Sequence, residues 1–314
     1  MRLEEIFTFE NLYDAYKQCR KSKQHKGEVI RFEANLSYNI NKLVDEFATR
    51  KYKLGKYKEF LIYEPKERLI EALPFRDRVV IRCFCDVVLR DKIERKLIYD
   101  NTACRTEKGT LFAIKRLEKF LRHEYLKEHN NDIYFLKCDI KKYFPSIDHQ
   151  ILLDLLRKID FSEDEMWMIE KLVKEQPNNA ETGLPLGNQS SQWFALFYLN
   201  VIDRYVKEKL NLSLNHKTQI GKVKNGIDFL GYSHILNENG SITRKLRSSA
   251  KKRLKKHLKT LKKLRDKNIV DDEYVYIRKN AFYNHIKDTK ESKKLKTEIL
   301  PKKYLKKIVK KNYL

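Results

Sequence analysis

The chain has 314 residues, of which 41% are hydrophobic, so it is long enough for two or three packed units and disorder throughout is excluded. Charged residues make up 35% and the net charge is +25, which favours a polyanionic partner: nucleic acid first, an acidic membrane surface second. No apolar stretch reaches the roughly 20 residues of a spanning helix, and residues 1–5 do not resemble a signal peptide. We therefore expect a cytoplasmic protein that makes no membrane contact.

The five cysteines are odd in number and never form a C-x-x-C pair. This pattern gives little support to a zinc site or a disulfide framework, so we expect reduced and mostly buried thiols.

The first half of the chain alternates helical and strand patterns. Residues 1 to about 50 carry apolar side chains at three- and four-residue spacing, which predicts an N-terminal helical layer. Residues 60–63 and 68–70, separated by a turn that begins at Pro65, predict a hairpin with a basic tip. Helical spacing returns over residues 77–97 and 111–126.

A short apolar run from Ile133 to Leu136 predicts a buried strand that delivers Asp139 at its exposed end. A carboxylate at that place can hold a metal, and Phe144 could close over whatever the metal binds. Pro145-Ser146 predicts the end of the turn and the cap of a helix over residues 147–159. Taken alone, an ordinary strand–turn–helix in which Asp139 merely stops the strand is the simpler interpretation.

Residues 162–165 match a capping box and predict a further core helix. Residues 183–192 are rich in turn formers and predict a loop, which leads into an apolar helix from Trp193 to about Val206.

The last seventy residues are strongly basic. Residues 241–270 contain thirteen Lys and Arg against one acid, Asp266, and four leucines form one apolar seam: Leu254, Leu258, Leu261 and Leu264. The pattern predicts an amphipathic helix with a basic outer face. Because so many cations repel each other unless phosphate lies alongside, nucleic-acid contact is favoured over a merely solvated face.

Five blocks carry a resemblance to a known family: residues 75–80, residues 99–105 with 108–110, residues 139–149, residues 183–192 and residues 226–232. In this order they resemble bacterial reverse transcriptases related to group II intron proteins, retrons and diversity-generating retroelements. The resemblance runs from about Glu59 to Leu264. It implies an α+β right-hand polymerase fold, with a helical region over 1–55, fingers over 56–130, a palm over 131–235 and a basic helical thumb over 236–314.

The resemblance implies the roles of the catalytic residues. Asp139 would be the first metal-binding carboxylate of a two-magnesium centre, and Phe144 the aromatic gate under the sugar of the incoming deoxynucleoside triphosphate. Four finger cations would neutralise the triphosphate: Lys66, Arg68, Arg105 and Lys108. Each of these four could equally be a solvated surface cation.

The resemblance also implies where the nucleic acid lies. Five residues would line the template: Gly187, Asn188, Gln189, Ser190 and Gln192. Gln192 stands where many relatives have proline, as in the diversity-generating class. Residues 226–232 would form the primer grip, and the basic segment after them would track the duplex. The implied partners are an RNA template, a DNA or RNA primer, deoxynucleoside triphosphates and a possible accessory protein.

The sequence departs from the family between about residues 206 and 214. The second catalytic block, with two aspartates at the tip of a palm hairpin, is missing, and two strands of about five residues with a turn do not fit there. Asp271-Asp272 is better interpreted as a helix cap. We therefore expect an incomplete palm sheet and polymerisation that is lost or severely reduced.

Two alternatives stay open: a nucleic-acid-binding protein without catalysis, and a defective product whose palm packs poorly. The sequence leaves open whether the biology is retroelement diversification, mobility or antiviral defence.

Overall fold

A computed structural model describes residues 1–63, 67–175, 180–208 and 219–286, together with residues 289 and 292. The described chain is a mixed α+β protein with small sheets, as the sequence predicts. It divides into two compact units, one formed by Met1–Lys108 and Ile140–Ser213, the other by Gly109–Asp139 and Leu214–Leu314. Within the described residues, no helix is long and apolar enough to cross a membrane.

The N-terminal part of the first unit is helical, as its apolar spacing predicts. Its helices are α1 (Leu3–Ile6), α2 (Phe9–Arg20), α3 (Gly27–Glu33) and α4 (Leu36–Ala48). Their apolar faces pack into one core, in which the rings of Phe7 and Phe47 stack with centroids 3.6 Å apart.

The predicted hairpin is present. Strand β1 (Lys58–Ile62) pairs antiparallel with β2 (Arg68–Ala72), with Ile62 opposite Arg68. Helix α5 (Phe75–Phe84) follows, then one π-helical turn (Cys85–Leu89) and α6 (Arg90–Glu94). The predicted helix over residues 77–97 is therefore broken into three parts, and the wide turn at its centre is a form often found at functional sites.

Three further helices complete the first unit: α8 (His149–Leu156), α9 (Glu163–Lys174) and α10 (Gln189–Glu208). The capping box predicted before α9 is confirmed, because Ser162 and Glu165 bond each other's backbone amides. The cap predicted for α8 was wrong. Residues Phe144–Ser146 form a 3₁₀ turn, and Asp148 caps α8 by accepting from the Ile151 amide at 2.8 Å.

The second unit begins with α7 (Thr110–Glu128) and strand β3 (Tyr134–Lys137). Later in the chain come β4 (Gln219–Lys222), β5 (Ile227–Phe229), β6 (Tyr232–Leu236), β7 (Ile242–Leu246), α11 (Ser248–Asp266) and α12 (Asp272–Ile286). Strands β3 and β4 form one antiparallel pair, and β5–β6–β7 form a meander. Asp271 caps α12 through the Tyr274 amide at 2.7 Å, as the sequence predicts.

Two predictions for the second unit were wrong. The strand before Asp139 is not buried, because Tyr134 and Leu136 are exposed. Among the apolar residues of β3 and β4, Phe135 alone is packed against the core. The basic segment is not helical throughout, since residues 242–246 form β7 and the helix begins at Ser248.

Candidate nucleic-acid interface

Asp139 is exposed and lies two residues beyond the end of β3, so the predicted position at an exposed strand end is confirmed. It belongs to the second unit, whereas Phe144 belongs to the first. Phe144 is half-buried against the core of the first unit, with its ring edge-on to Tyr143 at 5.9 Å.

The block around Phe144 is bonded to the start of the predicted template loop. The Leu184 amide donates to the Phe144 carbonyl at 3.1 Å, and the Gly183 amide donates to the Ile147 carbonyl at 2.7 Å. His149 donates its own amide to Glu181 at 3.0 Å, and its Nε2 lies 2.5 Å from the Gly183 carbonyl. Two sequence blocks about forty residues apart are thus held side by side by backbone contacts.

The predicted template loop is also bonded to the hairpin. The Glu71 amide donates to the Leu186 carbonyl at 2.9 Å. Gly187 has φ +146°, and a Cβ there would lie 2.8 Å from the Glu71 carbonyl oxygen. Glycine is needed at this position because the two backbones approach so closely.

The residues after Gly187 do not form a loop, contrary to the prediction. Residues Gln189–Gln192 are the first turn of α10, in which Ser190 is buried and Gln192 exposed. Asn188 is 4% exposed, and its Nδ2 donates to the Tyr57 hydroxyl at 3.0 Å. Burial raises the pKa of Tyr57 to about 12, although this hydrogen bond opposes the rise.

The predicted triphosphate cations have different surroundings. Arg105 is mostly buried, with 10% of its side chain exposed, and its guanidinium donates to Glu94 at 3.1 Å and to the Ile98 carbonyl at 2.9 Å. Lys108 donates to the Tyr99 carbonyl at 2.9 Å and lies 3.9 Å from the centre of that ring. Arg68 is exposed at the start of β2, and Lys66 lies outside the described residues. Arg105 and Lys108 therefore hold the loop between α6 and α7.

The first unit carries three cavities of about 180, 680 and 400 Å³ that all include Arg82 in their walls. We call them together the basic groove. Seven cations line it: Lys17, Lys21, Lys23, Arg78, Arg82, Arg90 and Arg105. Two acids, Asp14 and Asp86, line it as well, and Glu28 and Glu94 pair with Arg78 and Arg105, so the seven cations outnumber these acids by three.

The groove runs beside the predicted template residues. Gly187, Asn188 and Gln189 line its smallest cavity, and Gln189 and Gln192 line the cavity of 400 Å³. Gln192 Oε1 accepts a hydrogen bond from the Cys104 thiol at 3.1 Å. The loop that carries Arg105 therefore lies beside Gln192 in the wall of the 400 Å³ cavity. Three of the five sequence blocks thus line the groove, and the block around Phe144 is bonded to the start of the block at residues 183–192.

Sequence reasoning missed the cations of α5 and α6, although a signal was present. Arg78, Arg82, Asp86 and Arg90 follow each other at four-residue spacing, which places them on one face of a helix. Asp86 lies in the π-helical turn and pairs with both Arg82 and Arg90. The four-residue spacing of these arginines predicts a basic face on α5 and α6. The prediction for these helices considered their apolar residues and did not use that spacing.

A second basic surface lies in the second unit, on α11. Its predicted leucine seam is confirmed, since Leu261 is buried and the other three leucines are half-buried. The nine Lys and Arg of α11 stand against one acid, Asp266.

Asp139 stays a predicted metal ligand. No group of three His, Cys, Asp or Glu side chains that could hold a metal occurs among the described residues. The sequence from Lys209 to Ile227, which follows α10, contains no Asp or Glu. A single Mg²⁺ on Asp139 would depend on water and phosphate oxygens for most of its ligands.

No protein-family model matches this chain, and no curated protein matches it either. The fold and the site therefore define the protein by its architecture and charge. It is a mixed α+β protein with a basic groove in one unit and a basic helix in the other.

Proposed function

We propose that this chain is a reverse-transcriptase-like protein that binds an RNA template with its primer and has lost most or all of its ability to extend that primer. The observation that carries the proposal is the basic groove beside Gly187–Gln192. Its cations suit a sugar-phosphate strand, because phosphate contacts supply most of the affinity for nucleic acid. The basic face of α11 supports binding of the same kind of ligand.

Asp139 is the residue that would hold Mg²⁺, which would stabilise charge on a transferring phosphoryl group. Since one carboxylate cannot hold two ions in the geometry that in-line displacement requires, we expect no processive synthesis. Deoxynucleotide addition under Phe144, an accessory protein and a cytoplasmic location stay predictions.

The test combines binding and primer extension. Fluorescence anisotropy with an RNA template annealed to a DNA primer should show binding that weakens with salt and is unchanged by Asp139→Ala. Primer extension with Mg²⁺ and all four deoxynucleotides should give little or no product from either protein.

The outcomes separate the two parts of the proposal. Processive extension by the unaltered chain that Asp139→Ala abolishes would show an active polymerase and contradict the loss of catalysis. Absence of binding to any template–primer would contradict the proposal as a whole.

A further inference from the structure

The smallest cavity of the groove is built from two helices and the start of a third. Its volume is about 180 Å³. Cys19 lies in its wall, with a thiol that donates to the Arg78 carbonyl at 3.4 Å and whose pKa burial raises to about 11. The thiol is therefore an unreactive part of the wall, and the cavity's chemistry comes from its polar groups.

Two residues of the wall each carry a buried polar atom that lacks a hydrogen bond within the described protein: Arg78 Nε, a donor, and Asn188 Oδ1, an acceptor. Each side chain has a partner through another of its atoms. The Arg78 guanidinium forms an ion pair with Glu28, and Asn188 Nδ2 donates a hydrogen bond to the Tyr57 hydroxyl. Leaving such groups unpaired is costly, so a ligand that both accepts and donates a hydrogen bond is favoured here.

A sugar suits this cavity better than a base does. Bases bind to proteins by stacking on aromatic faces, and the one aromatic ring in the wall, Phe75, is 3% exposed. Its face is covered by the Arg78 guanidinium at 5.4 Å and its edge meets Phe32. A ribose 2′-hydroxyl, by contrast, both donates and accepts.

The cavity's remaining side chains suit the flanking phosphates. Lys23 is exposed and forms no ion pair within the described residues, and Arg82 lines this cavity as well as the two others. Gln18 is exposed as well, so Gln18 and Lys23 are the parts of the wall that can move aside when a sugar enters.

We propose that the cavity between Arg78 and Asn188 binds the ribose of one template nucleotide and recognises its 2′-hydroxyl, so that the groove selects RNA over DNA. The inference rests on the proposed function, because it assumes that the groove holds a template strand.

The experiment is a single-deoxy scan. A short RNA template is annealed to a DNA primer that fixes its register, and each unpaired template position in turn carries 2′-deoxyribose. Anisotropy with the unaltered protein should find one position at which the deoxy sugar weakens binding about five- to tenfold.

Two variants locate the effect. Asn188→Ala should abolish the sensitivity at that position. Lys23→Ala serves as the control, because loss of a phosphate contact should weaken RNA and DNA alike and keep their ratio. Thermal unfolding of each variant establishes that it is folded.

Equal binding at every deoxy position would overturn the inference, and so would a sensitivity that persists in Asn188→Ala. Both results are compatible with salt-sensitive binding, so the proposed function would survive them. If Asn188→Ala does not fold, the scan on the unaltered protein still tests the inference, because equal binding at every deoxy position would contradict it. Failure to bind any template would overturn both proposals.

Discussion

Glu165 is a buried carboxylate that holds the start of α9. It accepts from Lys92 Nζ at 2.6 Å and from the Ser162 amide at 2.8 Å. Burial raises the pKa of this carboxyl, but the bonds from Lys92 and Ser162 outweigh burial and leave it below the ordinary 4.5. Its charged form therefore stabilises the folded state at neutral pH.

Glu165→Gln should lower the free energy of unfolding by about 2 kcal/mol at pH 7. Because the folded pKa is lowered, the contribution is present above the ordinary pKa and is lost as pH falls through the folded value. Urea unfolding at pH 7 and at acidic pH should show the difference between the two proteins shrinking with acid. Glu163→Gln, an exposed change in the same helical turn, should alter stability by less than about 0.5 kcal/mol at pH 7.

The sequence predicts that Arg105 and Arg68 both neutralise the triphosphate, but the structure gives the two side chains different surroundings. Arg105→Ala should lower the free energy of unfolding by about 2 to 4 kcal/mol, because Glu94 and two carbonyls lose a mostly buried partner. Arg68→Ala, at an exposed strand position, should stay within about 0.5 kcal/mol. Equal and small effects in urea titrations would contradict the anchoring role.

At the scale of elements, Gly187 joins α10 to the hairpin. Gly187→Ala should destabilise the protein by about 1 to 3 kcal/mol, since its Cβ would meet the Glu71 backbone and its φ is +146°. It should also weaken template binding, because Gly187 lies in the groove wall. Gly109→Ala is the control: it has an ordinary φ and no atom within 4 Å of the added Cβ, so melting and anisotropy should be nearly unchanged.

Elements with a strong local signal could be predicted from the sequence. The pairing of β1 with β2, the capping box at Ser162 and the cap at Asp271 each depend on residues a few positions apart, and all three are confirmed. The turn predicted at Pro65 lies outside the described residues. The strand at Ile133–Leu136 was placed correctly but its burial was not. A short apolar run does not tell which elements cover it, and Tyr134 and Leu136 are left exposed.

The candidate site could be predicted only in part, because local patterns do not show which distant residues pack together. The blocks around Phe144 and Gly187 were identified, but the buried side chain of Asn188 and the anchoring contacts of Arg105 arise only from tertiary packing. The cations of α5 and α6 were hidden within an apolar helix, although their four-residue spacing was present in the sequence.

At the scale of the whole molecule, each compact unit is assembled from two separate segments of chain. The sequence prediction divided the chain into consecutive domains at about residues 55, 130 and 235, because the resemblance to reverse transcriptases implies fingers, palm and thumb in that order. Which distant segments pack together depends on long-range contacts that no local pattern contains. The assignment of fingers, palm and thumb stays a prediction.

The central claim is that the groove of the first unit binds a sugar-phosphate strand, and the salt dependence of binding tests it most directly. The dissociation constant of an RNA template–DNA primer is measured across salt concentrations for three proteins: the unaltered chain, Lys21→Ala/Lys23→Ala in the groove, and Lys42→Ala/Lys158→Ala at exposed positions outside the groove walls. If each groove lysine contacts one phosphate, the groove pair should reduce the slope of log affinity against log salt by about 1.4, and the control pair should leave it unchanged. Equal slopes for the two double variants would contradict the account.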